Sequence, residues 1–319
     1  MTATTAAQGG RSVAVAGPGA RDAAAEGGRR SRQGGNLAGW AFLAPFLVFF
    51  ALFMVWPILY GIYLSFTDQS LAGTGGALVG FANYAEALTD PVMWAAFGNT
   101  VWFTVLSTIP LVLIALIMAI LVDQGLPGQW LWRLSFFMPF LLASTVASQI
   151  WVWIFNPSLG AANGILTSLG LPTQAWLQAP STAMLSIVID TVWWTVGFNF
   201  LLYLAALQNI PPMHYEAASI DGAGKWRQLW SITLPQLGQT TVLILILQVL
   251  ASLKLFDQVY QMNVGVSNPS TRSIVQYIYD SGFTGYRFGY SASISYVFFA
   301  IIIIISVAQV TINRRRRAS

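Results

Sequence analysis

Asp190 and Lys254 are two ionisable residues of this sequence that fall within long apolar stretches, Asp190 well inside its own. A charged side chain in hydrocarbon costs about 2.5–3.5 kcal/mol on insertion scales, so Asp190 requires a partner or a task. Two readings are open: it pairs with Lys254, or it lines the route of a polar solute. Gln149, Asn199 and Gln248 lie in similar stretches, with Trp151, Trp153, Trp193 and Trp194 close by in sequence. Amides and a carboxylate can hydrogen-bond hydroxyls while an aromatic face covers an apolar ring surface, which is chemistry suited to a sugar. The same tryptophans suit a membrane-interface belt or a helix core, so the aromatic signal alone does not choose.

Gly222-Ala223-Gly224-Lys225 has the look of a phosphate loop, but Trp226 stands where Ser or Thr would hold Mg²⁺, and Ser219 stands where the first glycine belongs. The backbone cradle therefore fails, and no ATP site is expected on this chain. The sequence has no cysteine and one histidine, His214, which excludes thiolate and multi-histidine metal centres. The scattered acids give no convergent acid/base set, which argues against a membrane-integral enzyme. Asp190 with Lys254 could instead serve an ion-gradient carrier.

The elements that must position these residues are membrane helices. Of 319 residues 56% are hydrophobic and 8% charged, with a mean hydropathy of +0.64; a soluble domain carries about 25% charge. About 20 apolar residues cross a bilayer, and six stretches qualify, near 40–66, 98–122, 133–155, 181–207, 238–257 and 290–312. The expected fold is an all-α polytopic membrane protein, with a six-span body over 37–313. Residues 1–36, rich in Ala, Gly, Ser and Arg, read as a disordered tail, and residues 314–319 as a basic tail. With the N-terminus in the cytoplasm, all Lys and Arg but Lys254, Arg272 and Arg287 fall on the cytoplasmic side. That bias expects both termini in the cytoplasm, and it assigns Arg314–Arg317 to the inner leaflet, not to nucleic acid. Asp190 and Lys254 would then both lie in the outer half and within pairing range.

The loop over 208–236 is unlike the others. Pro211 and Pro212 end span four, an alanine-rich stretch with Glu216 follows, and Gly222 and Gly224 permit a turn. Trp226, Leu229, Trp230 and Ile232 make a partly amphipathic second segment, and Pro235 precedes span five. The small residues Ala217, Ala218, Ser219 and Ala223 leave a helix surface able to sit deep in another protein's groove. A connector lying on the inner leaflet accounts for the same pattern.

Glu216-Ala217-Ala218, Asp221-Gly222-Ala223, Ile232 and Leu234-Pro235 resemble the EAA motif of binding-protein-dependent ABC importer permeases of the carbohydrate type, the maltose/glycerol-phosphate importer family. Trp56-Pro57, Gly80-Phe81 with Asn83-Tyr84, Asn99-Thr100, Phe155-Asn156-Pro157, Leu204 to Pro211 and Phe256-Asp257-Gln258 extend the resemblance over most of the membrane part. Two features depart from it. Val264-Gly265-Val266-Ser267-Asn268-Pro269 replaces a Gly-Gly-Pro stretch, and His214 stands where an acidic or small polar residue is usual.

The resemblance implies a transport subunit that works with a second homologous permease, a dimer of ATPase subunits carrying ATP-Mg, and an extracytoplasmic solute-binding protein delivering a carbohydrate-like substrate. It implies a prokaryotic cytoplasmic membrane and a loop that forms a coupling helix. Glu216, Ala217, Ala218, Asp221, Gly222 and Ala223 would be its contact residues. Gln149, Asp190, Asn199 and Gln248 are then the candidates for the substrate path.

Overall fold

A computed structural model describes residues 31–125, 127–263 and 268–318. The expected disordered tail lies outside the described residues except for its last few positions, where a helix already begins at Ser31. The Val264–Ser267 part of the departing loop also lies outside them. Among the described residues the chain is helical, with one isolated antiparallel bridge between Thr67 and Leu78.

Contacts divide the chain into Met1–Tyr60 and Gly61–Ser319. In the first unit α1 (Ser31–Phe50) passes through a π-helical turn at Ala51–Val55 into α2 (Trp56–Ser65), which reaches into the second. Phe42, Phe46, Phe49 and Phe53 are all exposed. A helix apolar all round and without burial is what lipid solvates.

The second unit is built on α4 (Pro91–Asp123) and α8 (Pro180–Gln208), packed along their lengths. Leu111, Ala115, Ala119 and Val122 of α4 recur three to four residues apart and meet Val196, Phe200, Tyr203 and Leu207 of α8. In lipid no hydrophobic force joins two apolar helices, so close packing at small residues such as Ala115 and Ala119, both fully buried, supplies the contact. At 33 residues, α4 is about 50 Å long and exceeds the roughly 30 Å hydrocarbon core. Asp90 caps its start by accepting from the Val92 amide at 2.8 Å.

The remaining elements are α3 (Ala82–Thr89), α5 (Gln129–Phe137), α6 (Ser144–Ile154), α7 (Ala161–Ser168), α9 (Pro212–Ile220), α10 (Lys225–Gln228), α11 (Leu234–Gln236), α12 (Gly238–Leu253), α13 (Asp257–Met262), α14 (Ile274–Tyr279) and α15 (Phe288–Ala318). Hydrogen bonds gather Glu86, Asp90, Gln149, Asp257, Arg272 and Arg287 towards one end of the unit. Asp123, Tyr215, Lys225 and Trp226 line a common cavity at the other. We call these the acidic and the basic end.

Among the described residues, four single helices are long and apolar enough to cross a membrane, and two bent pairs bring the number up to six. The stretch expected as one span over 133–155 is bent by 96° between Gln129–Leu141 and Ser144–Ile154. Pro139 lies in a tight turn at Met138–Leu141, and Leu142 and Ala143 are extended, so the helical hydrogen bonds are interrupted there. The carbonyl freed at Leu142 accepts from Trp194 Nε1 at 3.1 Å. Span five is also shorter than its expected 238–257, since α12 ends at Leu253 and Lys254 is its cap.

Candidate coupling element and polar path

Helix α9 carries the motif residues and ends on a glycine-dependent turn. The Ala223 amide donates to the Ala218 carbonyl at 2.9 Å, and the Gly222 amide to the Ser219 carbonyl at 3.1 Å. This is a Schellman closure, which needs a left-handed residue just past the helix. Gly222 supplies it with φ +77°, and a Cβ built there meets nothing within 4 Å. Backbone conformation, not crowding within this chain, sets the glycine requirement.

Two side chains fix α9 to the segment that follows. Tyr215 and Thr233 share a 3.0 Å hydroxyl contact, while Gln228 Nε2 donates to Ser219 Oγ at 2.9 Å and to the Ala223 carbonyl at 3.0 Å. Most of the rest of α9 is exposed among the described residues. Glu216, Ala217, Asp221 and Gly222 are exposed, and Ala218 and Ala223 are partly covered. Met213 and Ile220, 67% and 88% exposed, complete an apolar edge with Ala217. Those two were missed in the sequence. Their i, i+4, i+7 spacing with Ala217 was the available signal. Beyond Gly224, Trp226 and Trp230 are exposed and stack edge to face at 6.0 Å, as the amphipathic reading of this segment expects.

The four path candidates do not converge on one place. Asn199 and Gln248 are 2% and 8% exposed, and Asn199 Nδ2 donates to Gln248 Oε1 at 3.3 Å. Gln248 Nε2 faces Ser252 Oγ at 3.4 Å, and Ser252 shares a 3.2 Å contact with Ser107. This polar chain ties α8, α12 and α4 together. Asp190 is fully buried and accepts from Ser148 Oγ at 3.0 Å through one oxygen, while its other oxygen has no hydrogen-bond partner among the described residues. Gln149 alone is exposed, and its amide meets Gln261 Oε1 at 3.4 Å on α13.

The pairing of Asp190 with Lys254, one of the two readings open from the sequence, is not formed among the described residues. Lys254 is exposed at the end of α12, and the ion pair among the described residues is Arg287–Glu86 at 2.6 Å. The physical reason is the helix end: α12 stops one residue earlier, so the lysine leaves the buried face and its ammonium stays where it can be solvated. Asp190 is answered by a neutral hydroxyl instead. With the pair absent, the charge couple on which an ion-gradient carrier would rest is absent too.

The tryptophans divide between packing roles and exposure. Trp151 packs against Phe155 in a tilted pair at 5.1 Å and edge to face against Trp193 at 5.9 Å. Trp194 serves the bend at Leu142. Trp153 is 74% exposed.

A sequence profile described as the binding-protein-dependent transport system inner membrane component matches residues 93–318. The sulfoquinovosyl glycerol transport system permease protein SmoG of Agrobacterium fabrum is 33% identical over 284 residues, covering 89% of this chain and 92% of that protein. The lactose transport system permease protein LacF of Rhizobium radiobacter is 33% identical over 293 residues, covering 88% and 96%. A chain in the crystal structure of a bacterial ABC transporter involved in the import of the acidic polysaccharide alginate has the same fold. It aligns with a TM-score of 0.77 over 88% of this chain and 96% of its own length, at 22% identity. The protein is therefore a membrane transport subunit, and it belongs to the family of binding-protein-dependent transport system inner membrane components.

Proposed function

We propose that this permease subunit forms, with a second homologous permease, the path for a sugar or related solute delivered by an extracytoplasmic binding protein. The transmembrane body is 37–313, and 208–236 is its coupling loop. Helix α9 is the contact for a cytoplasmic ATPase dimer, with Glu216, Ala217, Ala218, Asp221, Gly222 and Ala223 as the contact residues. ATP-Mg belongs to those ATPase subunits and drives the rocking of the spans through α9. The basic end faces the cytoplasm, in line with the distribution of Lys and Arg, so both termini are cytoplasmic and the acidic end receives the binding protein.

The observation that carries this reading is the exposed face of α9. It is tied within its own loop through Tyr215 and Ser219, closed by a left-handed glycine, and left uncovered by the described residues. A small-residue helix held this way can pass on a push without bending, which an inner-leaflet connector does not need. The relatives' names, a lactose and a glycoside transporter among them, support a carbohydrate-like solute.

The test is uptake by the complete complex in proteoliposomes. Uptake should require ATP inside and survive a protonophore, and Gly222→Asp should abolish it while leaving assembly and ATP binding in place. Normal uptake by Gly222→Asp would overturn the assignment of α9.

A further inference from the structure

We propose that the open face of α13 and its neighbours at the acidic end is a pyranose-binding strip at the mouth of the path; this rests on the reading above that the chain conducts a sugar-like solute. Phe256 stacks on Tyr260 at 5.3 Å, Tyr260 meets Tyr279 of α14 at 5.5 Å, and Tyr279 stacks on Phe283 at 5.1 Å. The first three rings are partly exposed and Phe283 is 49% exposed, so the row keeps an uncovered side. Sugar rings present an apolar face of C–H groups, and aromatic faces are their usual complement.

Polar groups border the row on its α6 side. Gln149 and Gln261 hold each other at 3.4 Å, and Asp257 accepts from Ser144 at 3.0 Å. Each amide spends one of its groups on that long contact, which leaves donors and acceptors free to meet hydroxyls. The buried candidates differ: Asn199 and Gln248 bond to each other inside the helix packing, and Asp190 is sealed. Of the four side chains considered for the path, Gln149 alone is open to a solute in this structure, and Gln261 and Asp257 of α13 stand beside it.

The second permease is the competing occupant of this face. Exposed Lys254 and Asp257 flank the rings, and charged residues are depleted in the core of protein interfaces. A surface that alternates rings, amides and a carboxylate fits a polyhydroxylated ring better than a packed helix.

The sequence has no cysteine, so Tyr260→Cys gives this chain one thiol in the assembled importer. A membrane-impermeant maleimide added from the extracytoplasmic side should label it. In a second measurement, lactose is the pyranose probe for saturation-transfer NMR on the purified full complex, with glycerol as the ringless control. Transfer to the lactose ring protons should fall about tenfold in Tyr260→Ala and in a Gln149→Ala, Gln261→Ala pair, and persist in Tyr260→Phe, while glycerol shows no dependence on Tyr260. Failure to label Tyr260→Cys would place the face against the second permease and overturn the proposal. Absent lactose transfer, or transfer indifferent to Tyr260→Ala, would overturn it equally. ATP-dependent uptake does not enter either measurement, so the transport reading stands or falls separately.

Discussion

Asn199 Nδ2 donates to Gln248 Oε1 at 3.3 Å in a buried site, and this joins the helix that precedes the 208–236 loop, α8, to the helix that follows it, α12. The two residues are separated by the whole loop in sequence. Under the proposed coupling role, a force on α9 would act between two helices already tied to each other.

Removing both sides of that tie should cost less than the two single removals added together. Asn199→Ala leaves a buried acceptor on Gln248 and should destabilise the chain by about 1–3 kcal/mol. The Asn199→Leu, Gln248→Leu pair removes both polar groups and should lose less than the sum of the single variants, with a coupling of about 0.5–2 kcal/mol. Unfolding in mixed detergent micelles measures the cycle. Additive losses would mean that the bond contributes nothing.

Gly197 sits where the first arm of the bent pair crosses α8. A Cβ there would lie 2.1 Å from the Phe136 carbonyl oxygen and 2.8 Å from Phe137 Cα, and backbone atoms cannot swing aside as a flexible side-chain tip can. Gly197→Ala should cost about 1–3 kcal/mol by forcing α5 off α8. Gly164 is the control: it is helical, with nothing within 4 Å of its Cβ position, and Gly164→Ala should gain up to about 1 kcal/mol from helix propensity. Melting of the purified protein in detergent should shift in opposite directions for the two.

Composition and apolar run length were enough to read the class of fold, because a bilayer imposes helices on any chain with such long uncharged stretches. The short helix proposed as the coupling element was legible for a similar reason. Its prolines, small residues and Gly222 act locally, and local rules fix a short helix with a left-handed end. The bend of 96° was not read, although Pro139 was visible, since a proline in a membrane helix is often accommodated without breaking it. The partners of Asp190 depended on where α12 ends, to within one residue, and hydropathy does not resolve ends that finely. Ser148 carries no signal in sequence; it matters only because α6, after the bend, lays its hydroxyl against α8.

Asp90 joins three elements at the acidic end. It caps α4 and accepts from Tyr277 at 2.5 Å and from Tyr290 at 2.6 Å. Burial opposes its charge, but the hydrogen bonds from Tyr277 and Tyr290 and from the backbone of Val92 and Met93 outweigh it and hold the carboxyl below its ordinary range. A depressed folded value means that the stabilisation is complete above the unfolded pKa, near 3.9, and is lost as pH falls through the folded value. Wild-type protein should therefore lose melting temperature on acidification below about pH 4. Asp90→Asn should melt lower at neutral pH and show a flatter acid limb. Parallel limbs for the two proteins would remove Asp90 from the account.

The exposed edge of α9 separates coupling from folding. Ile220 is 88% exposed and Met213 is 67% exposed, and neither belongs to a buried cluster of this chain. Surface changes of this kind usually alter stability by no more than about 0.5 kcal/mol, so Ile220→Asp should fold as the wild type does. If α9 is the ATPase contact, the same change places an unpaired carboxylate in a partner's groove, which costs several kcal/mol when buried, and co-purification of the ATPase subunits should drop at least about tenfold. Ser219→Ala makes the complementary perturbation. It removes the acceptor of the 2.9 Å bond from Gln228 and loosens α9 without altering the exposed edge, so the ATPase should stay bound while uptake per ATP hydrolysed falls. Pull-down and coupled uptake–hydrolysis assays on the same preparations read both. Retention of the ATPase by Ile220→Asp would remove this face from the contact, whatever Ser219→Ala does.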